Sequence, residues 1–184
     1  KMTLGTELKP EWQKSDQLAI YDGTEVNQFV VAEATGSYAV FNGKVTSGSD
    51  KFWAIFPYEE AMTYDASVGF KATIPAEQTV APGDSVSTTA LMAMAYAERS
   101  SEGSVQFAFK NVCGLVQFEI SKSGQVKEFI ISGNKGEKFA GEGVIGFEIR
   151  VENEVEKLVP VFTPSENAAT VVRVRPAGDD ATFE

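Results

Sequence analysis

The sequence contains no histidine and a single cysteine, Cys113, among its 184 residues. Without histidine there is no Ser-His-Asp triad, no histidine general base and no histidine-ligated metal centre. One cysteine excludes an intrachain disulfide and a cysteine-rich zinc site. Carboxylate, lysine, tyrosine or serine chemistry stays open, but no motif supports it. We therefore expect a protein that is not an enzyme and has no cofactor.

Basic residues are also scarce, with 16 Lys and Arg against 26 Asp and Glu, a net charge of −10. Such a chain is repelled by phosphate backbones and by anionic membrane surfaces, so we expect no nucleic-acid partner. No run approaches the roughly 20 apolar residues that span a bilayer, so no transmembrane segment is predicted. A hydrophobic content of 43% is sufficient for a buried core.

What the chain does have is short runs of strict apolar–polar alternation, separated by Gly and Pro. One of them is residues 145–151, where Ile145, Phe147 and Ile149 alternate with Gly146, Glu148 and Arg150. This period of two is typical of half-buried strands, and many such strands at short spacing predict a β-sandwich. We predict an all-β sandwich of about seven strands.

Three local predictions accompany that fold. The segment Thr89–Glu98 is rich in Ala and Met, which favours a short helical turn, with an extended loop as the alternative. Asn42-Gly43 predicts a tight hairpin turn between two strands. The polar stretch Pro75–Thr88 predicts a long loop.

The alternation also assigns residues to the core. Replacing Phe118 by Ala is expected to cost about 3–5 kcal/mol if its ring is fully buried. The side chains predicted to face the core are Phe118, Ile120, Phe129, Ile131, Phe147 and Ile149.

The groups that could carry chemistry each have a simpler interpretation. Glu59-Glu60 and Asp179-Asp180 are carboxylate pairs, but solvated loops explain both. Asp22–Glu25 offers oxygens to a cation without the alternating spacing of a calcium loop. The Met residues are expected to fill the core, and Cys113 to be a buried, inert thiol.

Aromatic side chains provide the remaining candidates for a binding site. Trp12, Tyr21 and Tyr38 are predicted as possible ligand-stacking rings, whereas Trp53 lies in an apolar strand and is assigned to the core. These rings motivate an alternative function, a carbohydrate-binding module of a surface glycan-utilisation system.

An ordered set of motifs over about residues 1–145 resembles the amino-terminal domain of the fimbrillin-like proteins, the pilus and surface-adhesion subunits of Bacteroides-type bacteria. Each motif is weak by itself, and their order gives the set its specificity. The motifs are Lys1-Met-Thr-Leu-Gly5, Trp12, Lys14–Tyr21, Phe41-Asn-Gly-Lys-Val45, Phe52-Trp-Ala-Ile-Phe-Pro-Tyr58, Phe107–Phe118, Phe129-Ile-Ile-Ser-Gly-Asn134 and Ala140-Gly141.

The resemblance implies a transthyretin-like sandwich in a lipid-anchored protein exported to the bacterial outer membrane or fimbrium. It also implies partners among other fimbrial subunits or surface ligands, and possible assembly by strand exchange. We assign residues 1–150 to the fimbrillin-like domain. Residues 151–184 are either its remaining strands or the start of a truncated second domain. The resulting prediction is a non-enzymatic adhesion subunit that acts through protein–protein contacts.

Overall fold

The computed structural model describes residues 3–4, 10–46, 48–81, 87, 90–116, 118, 126–178 and 181–183. Over these residues the fold is all-β, with no α-helix, which confirms the predicted class. The strands are β1 Thr3–Leu4, β2 Pro10–Glu11, β3 Gln17–Tyr21, β4 Val26–Thr35, β5 Tyr38–Gly43, β6 Lys51–Phe56, β7 Tyr64–Asp65, β8 Gly69–Ile74, β9 Glu77–Val80, β10 Ala93–Glu98, β11 Lys110–Asn111, β12 Phe129–Ser132, β13 Gly141–Glu152, β14 Val155–Pro164 and β15 Val171–Pro176.

These strands form three main sheets and one short pair. The largest sheet has six strands in the order β11-β10-β6-β3-β4-β5. A four-stranded sheet has the order β14-β13-β8-β7, a three-stranded sheet has the order β12-β15-β9, and β1 pairs with β2. All described pairings are antiparallel except that of β15 with β9.

The main core lies on one face of the six-stranded sheet. Ile55 and Met94 of that sheet pack with Phe70 and Ile145 of the four-stranded sheet and with Val172 of the three-stranded sheet. This face-to-face packing is consistent with a β-sandwich. A second cluster covers the opposite face of the six-stranded sheet, so its central strands are buried on both sides.

The predicted helical turn near 89–98 is wrong, because Ala93–Glu98 forms strand β10. Its composition, AMAYAE, alternates small and large side chains. The alanines pack on one face, where Ala95 lies opposite Ala54, and Met94 faces the main core beside Ile55. Pairing with β6 along the whole strand overrides the helical preference of Ala and Met.

The predicted hairpin turn at Asn42-Gly43 is also wrong. Strand β5 continues through both residues, and the chain reverses instead at Gly36 and Ser37, where Gly36 has φ +57°. Gly43 pairs with Phe29, whose ring lies where a Cβ would stand, with ring carbon Cγ 2.4 Å from that position. The glycine at position 43 therefore makes room for an aromatic ring.

Part of the predicted loop Pro75–Thr88 is ordered as a strand. Residues Glu77–Val80 form β9, which runs parallel to β15. Its parallel partner β15 lies nearly a hundred residues further along the chain, so no local sequence pattern predicts this pairing.

The predicted core face is only partly confirmed. Ile131 and Phe147 pack against the main core, whereas Phe129 is half-buried and stacks on Phe118 at 4.3 Å. Phe118 is 46% exposed and Ile149 is 65% exposed, so those two assignments are wrong, and the large cost predicted for Phe118→Ala loses its basis. Ile120 lies outside the described residues.

The β13–β14 hairpin runs across position 150 and projects beyond the sheet. At its base Ile145 is fully buried, whereas every residue from 148 to 158 is exposed. Asn153 and Glu154 both have positive φ, as a two-residue type I′ turn requires. We call residues 148–158 the arm. Strand β15, further along the chain, bonds to both β12 and β9.

Candidate functional site

The three predicted stacking rings lie on different surfaces. Trp12 is on the face of the six-stranded sheet opposite to Tyr21, in the second hydrophobic cluster. Tyr21 pairs with Val26 at one end of β4, and Tyr38 pairs with Thr35 at the other end. Val26 and Thr35 are nine positions apart in β4, and an extended strand of that length spans about 30 Å. The fold does not bring the three rings together.

Trp12 is a core residue. Its indole is 9% exposed and makes edge contacts with Phe41, Phe56 and Phe109, at centroid distances of 5.1, 5.4 and 5.4 Å. Such edge-to-face pairs are the preferred packing of aromatic rings in a core. Tyr38, by contrast, is 81% exposed on edge strand β5.

Tyr21 instead belongs to a row of aromatic residues across three neighbouring strands. Trp53 of β6 lies directly opposite Tyr21 of β3 on one side and Tyr96 of β10 on the other. The indole centroid is 5.9 Å from that of Tyr21 and 5.3 Å from that of Tyr96. We call these three residues the aromatic row, and all three are half-buried.

The row is the second of three levels on one face of the sheet. On one side of the row lies the buried core level, where Ile55 is paired with Ala19 and Met94. On the other side lies the exposed pair Lys51 and Glu98. Burial thus falls steadily toward this end of the sandwich. The aromatic row marks the boundary between core and solvent.

Tyr64 of β7 lies over the aromatic row from the opposite sheet. Its ring stacks on Tyr21 at 4.1 Å and lies 5.7 Å from Trp53. Burial, reinforced by the nearby Tyr21 and Asp65, raises the pKa of Tyr64 to about 12. Burial and the hydrogen bond that its hydroxyl donates to Glu98 raise the pKa of Tyr96 to about 12 as well. Both phenols are therefore neutral hydrogen-bonding groups at pH 7.

Asp22, next to the aromatic row, organises the adjoining turn. Its carboxylate is fully buried and accepts hydrogen bonds from the backbone N–H groups of Thr24, Glu25 and Thr46 at 2.9–3.1 Å. The Thr24 and Thr46 hydroxyls and the Asn27 amide also donate to it. Burial alone raises the pKa of Asp22, and these donors outweigh it and hold the pKa well below the ordinary range. The role of Asp22 is structural.

The Glu59-Glu60 carboxylate pair is exposed. Glu59 and Glu77 line an open groove of about 480 Å³, together with Pro57, Thr73, Pro75 and Thr79. The Glu77 carboxylate is engaged by the guanidinium groups of Arg173, at 3.8 Å, and Arg175, at 3.3 Å. Asp179 and Asp180 lie outside the described residues.

The sulfur-containing residues are packing groups. Met62, Met92 and Met94 are all buried in the main core, as predicted. Cys113 is partly buried against it, and burial raises the pKa of its thiol, which disfavours the reactive thiolate. Among the described residues, no three His, Cys, Asp or Glu side chains come together to hold a metal ion.

The arm carries an uncovered apolar surface. Ile149 and Leu158 lie directly opposite each other, and Val151 follows Ile149 on the same face; they are 65%, 39% and 67% exposed. Ile149 and Val151 lie on the same face of β13 as Ile145 and Phe147, further from the core. The other face of the arm carries charges that pair internally, with Lys157 Nζ 2.7 Å from Glu152 and Arg150 3.6 Å from Glu148.

The described residues contain no helix long and apolar enough to cross a membrane. Comparison with known protein families, with curated proteins and with solved structures finds no match for this chain.

The aromatic row is predicted only in part from the sequence. Trp53 is assigned to the core and does pack against it, although its side chain is half-buried. Tyr96 falls in the segment predicted as a helical turn, and Tyr64 is not singled out. A usable signal was present in residues 93–98, because Met94, Tyr96 and Glu98 alternate with three alanines in the manner of a strand. The cross-strand register that aligns Tyr96 with Trp53 exists only in the folded sheet.

Proposed function

We propose that this protein is a non-enzymatic subunit of a bacterial surface structure, of the fimbrillin-like type, that is exported and acts through protein–protein contacts. Its partners are other subunits of the same structure or ligands on a neighbouring surface. The motif order of the first 145 residues supports this proposal, together with the all-β architecture.

The observation that carries the proposal is the arm. A hairpin that exposes Ile149, Val151 and Leu158 on one face keeps roughly 40–70% of each apolar side chain in water. Exposure of contiguous apolar side chains costs free energy that a partner surface would recover on binding. Among the described strands, β14 also lies at the edge of its sheet, where its Leu158 carbonyl accepts a hydrogen bond from Lys110 Nζ at 2.6 Å.

The test replaces apolar side chains of the arm by mutating the chromosomal gene in the bacterium that produces the protein. In the Ile149→Ser/Val151→Ser variant we expect a folded protein that is exported normally but is no longer cross-linked to its partner subunits. Val40→Ser is the matched control, because Val40 is 56% exposed on β5, away from the arm. Antibody labelling of intact cells reports export, and cross-linking reports contact. Wild-type protein confined to the cytoplasm contradicts the proposal, as does unchanged cross-linking of the arm variant.

A further inference from the structure

We propose that the aromatic row, with Lys51 and Glu98 at its rim, binds a neutral oligosaccharide. The inference stands on different observations from the proposed function. Within the row, Trp53 and Tyr96 form the stacking surface, and neither is predicted as a stacking ring from the sequence.

The first observation is the gradient of burial across the three levels of the sheet. Ile55 is fully buried, Trp53 is half-buried and Lys51 is exposed, although all three project from the same face of β6. Large rings at this boundary present an apolar face and a polar tip to solvent at the same time. A pyranose ring has the matching chemistry, with apolar C–H groups on its faces and hydroxyl groups around its edge.

The second observation is the polar rim. Glu98 and Lys51 lie directly opposite each other, one position beyond Tyr96 and Trp53, and both are exposed. They place a carboxylate acceptor and an ammonium donor next to the rings. The Tyr96 hydroxyl already donates to Glu98, which holds that carboxylate beside the ring. A few fixed polar groups around an apolar surface are typical of small-molecule sites.

The third observation concerns the two ends of the row. Strand β11 pairs with β10 only at Ala93 and Met94, so in the described residues it ends before Tyr96. Tyr64 covers Tyr21 from the other sheet. The stacking surface is therefore the part of the row formed by Trp53 and Tyr96.

The net negative charge of the protein favours neutral saccharides over anionic ones. A net charge of −10 repels uronates, sulfated glycans and other anions. The same carboxylates do not repel an uncharged sugar, and Glu98 accepts hydrogen bonds from its hydroxyl groups. A neutral oligosaccharide is thus the ligand class that fits both the rings and the field around them.

The experiment measures binding of the purified protein to five neutral probes, maltoheptaose, cellohexaose, mannohexaose, galactohexaose and chitohexaose, by isothermal titration calorimetry. We expect at least one probe to bind. Tyr96→Ala should weaken that binding about tenfold, equivalent to about 1.4 kcal/mol. Tyr38→Ala, which removes a ring 81% exposed far from the row, should leave the affinity unchanged.

A second variant keeps the proposal testable if Tyr96→Ala does not fold. Glu98 is exposed, so Glu98→Ala should fold normally and should weaken binding several-fold by removing the acceptor at the rim. The proposal is overturned if none of the five probes binds, or if a folded Tyr96→Ala or Glu98→Ala protein binds as tightly as the wild type. The arm variant Ile149→Ser/Val151→Ser should bind the saccharide normally, so failure here is separable from failure of the proposed function.

Discussion

The base and the arm of the β13–β14 hairpin belong to one ladder of ten residue pairs but have opposite surroundings. At the base, Ile145 is 0% exposed and belongs to the core cluster to which three sheets contribute; four residues further along the same face, Ile149 is 65% exposed. Their sequence patterns are alike. The difference shows that alternation identifies a strand and its two faces, whereas the neighbouring sheet decides whether a face is covered.

Glycines show the same contrast between base and arm. At the base, a Cβ on Gly143 would stand 2.3 Å from the ring of Phe162, and one on Gly146 would stand 2.5 Å from the carbonyl oxygen of Val68. The arm contains no glycine. Close approach of backbone to neighbouring groups is therefore confined to the part of the hairpin that packs.

The largest expected effect is at the base. Ile145→Ala should lower the free energy of unfolding by about 2–5 kcal/mol, because it removes a fully buried side chain from the contact between sheets. Chemical denaturation measures the loss. A loss below about 1 kcal/mol would mean that the base is not packed as described.

A second expectation concerns Asp22 and pH. Asp22→Asn should cost at least about 2 kcal/mol at pH 7, because one charged acceptor of several buried donors is lost. The folded pKa of Asp22 lies below its unfolded value, so its stabilisation is present above about pH 4 and is lost as the pH falls.

Denaturation of both proteins between pH 7 and pH 2 checks this prediction. The difference in stability between wild type and Asp22→Asn should shrink on the acid side, because Asp22 takes up a proton in the unfolded wild type at a higher pH than in the folded protein. A difference that stays constant over the whole range would show that the charge of Asp22 does not contribute.

A smaller effect is expected at Gly43, away from the hairpin. Gly43→Ala should cost about 1–3 kcal/mol, because the new methyl group would overlap the ring of Phe29. Gly48→Ala is the control, because a Cβ at Gly48 meets nothing within 4 Å. Thermal unfolding compares the two variants, and equal midpoints would contradict the described register of β4 and β5.

The smallest effect is at the arm. Ile149→Ala should change the free energy of unfolding by no more than about 0.5 kcal/mol, since its side chain is mostly in water already. It is the same substitution as Ile145→Ala, on the same strand and face. If both variants lost similar stability in chemical denaturation, the distinction between base and arm would be wrong.

The candidate sites were predictable only in part. Tyr21 was selected as a stacking ring for its sequence context, and it does lie in the aromatic row. Trp12 was selected for the same reason but is surrounded by Phe41, Phe56 and Phe109, which come from distant segments of the chain. A tryptophan's exposure depends on such long-range neighbours, and no single segment encodes them.

Strand formation was determined by the sequence itself, because alternation, Gly and Pro act over a few neighbouring residues. That suffices for the all-β class and for the strand at Ile145–Val151. Tertiary structure alone decided which strand Ala93–Glu98 pairs with, that Glu77–Val80 pairs with a strand nearly a hundred residues away, and that residues 148–158 are exposed. Each of these outcomes depends on which segments, distant in sequence, pack against the strand in question. Such contacts form only when the whole chain folds.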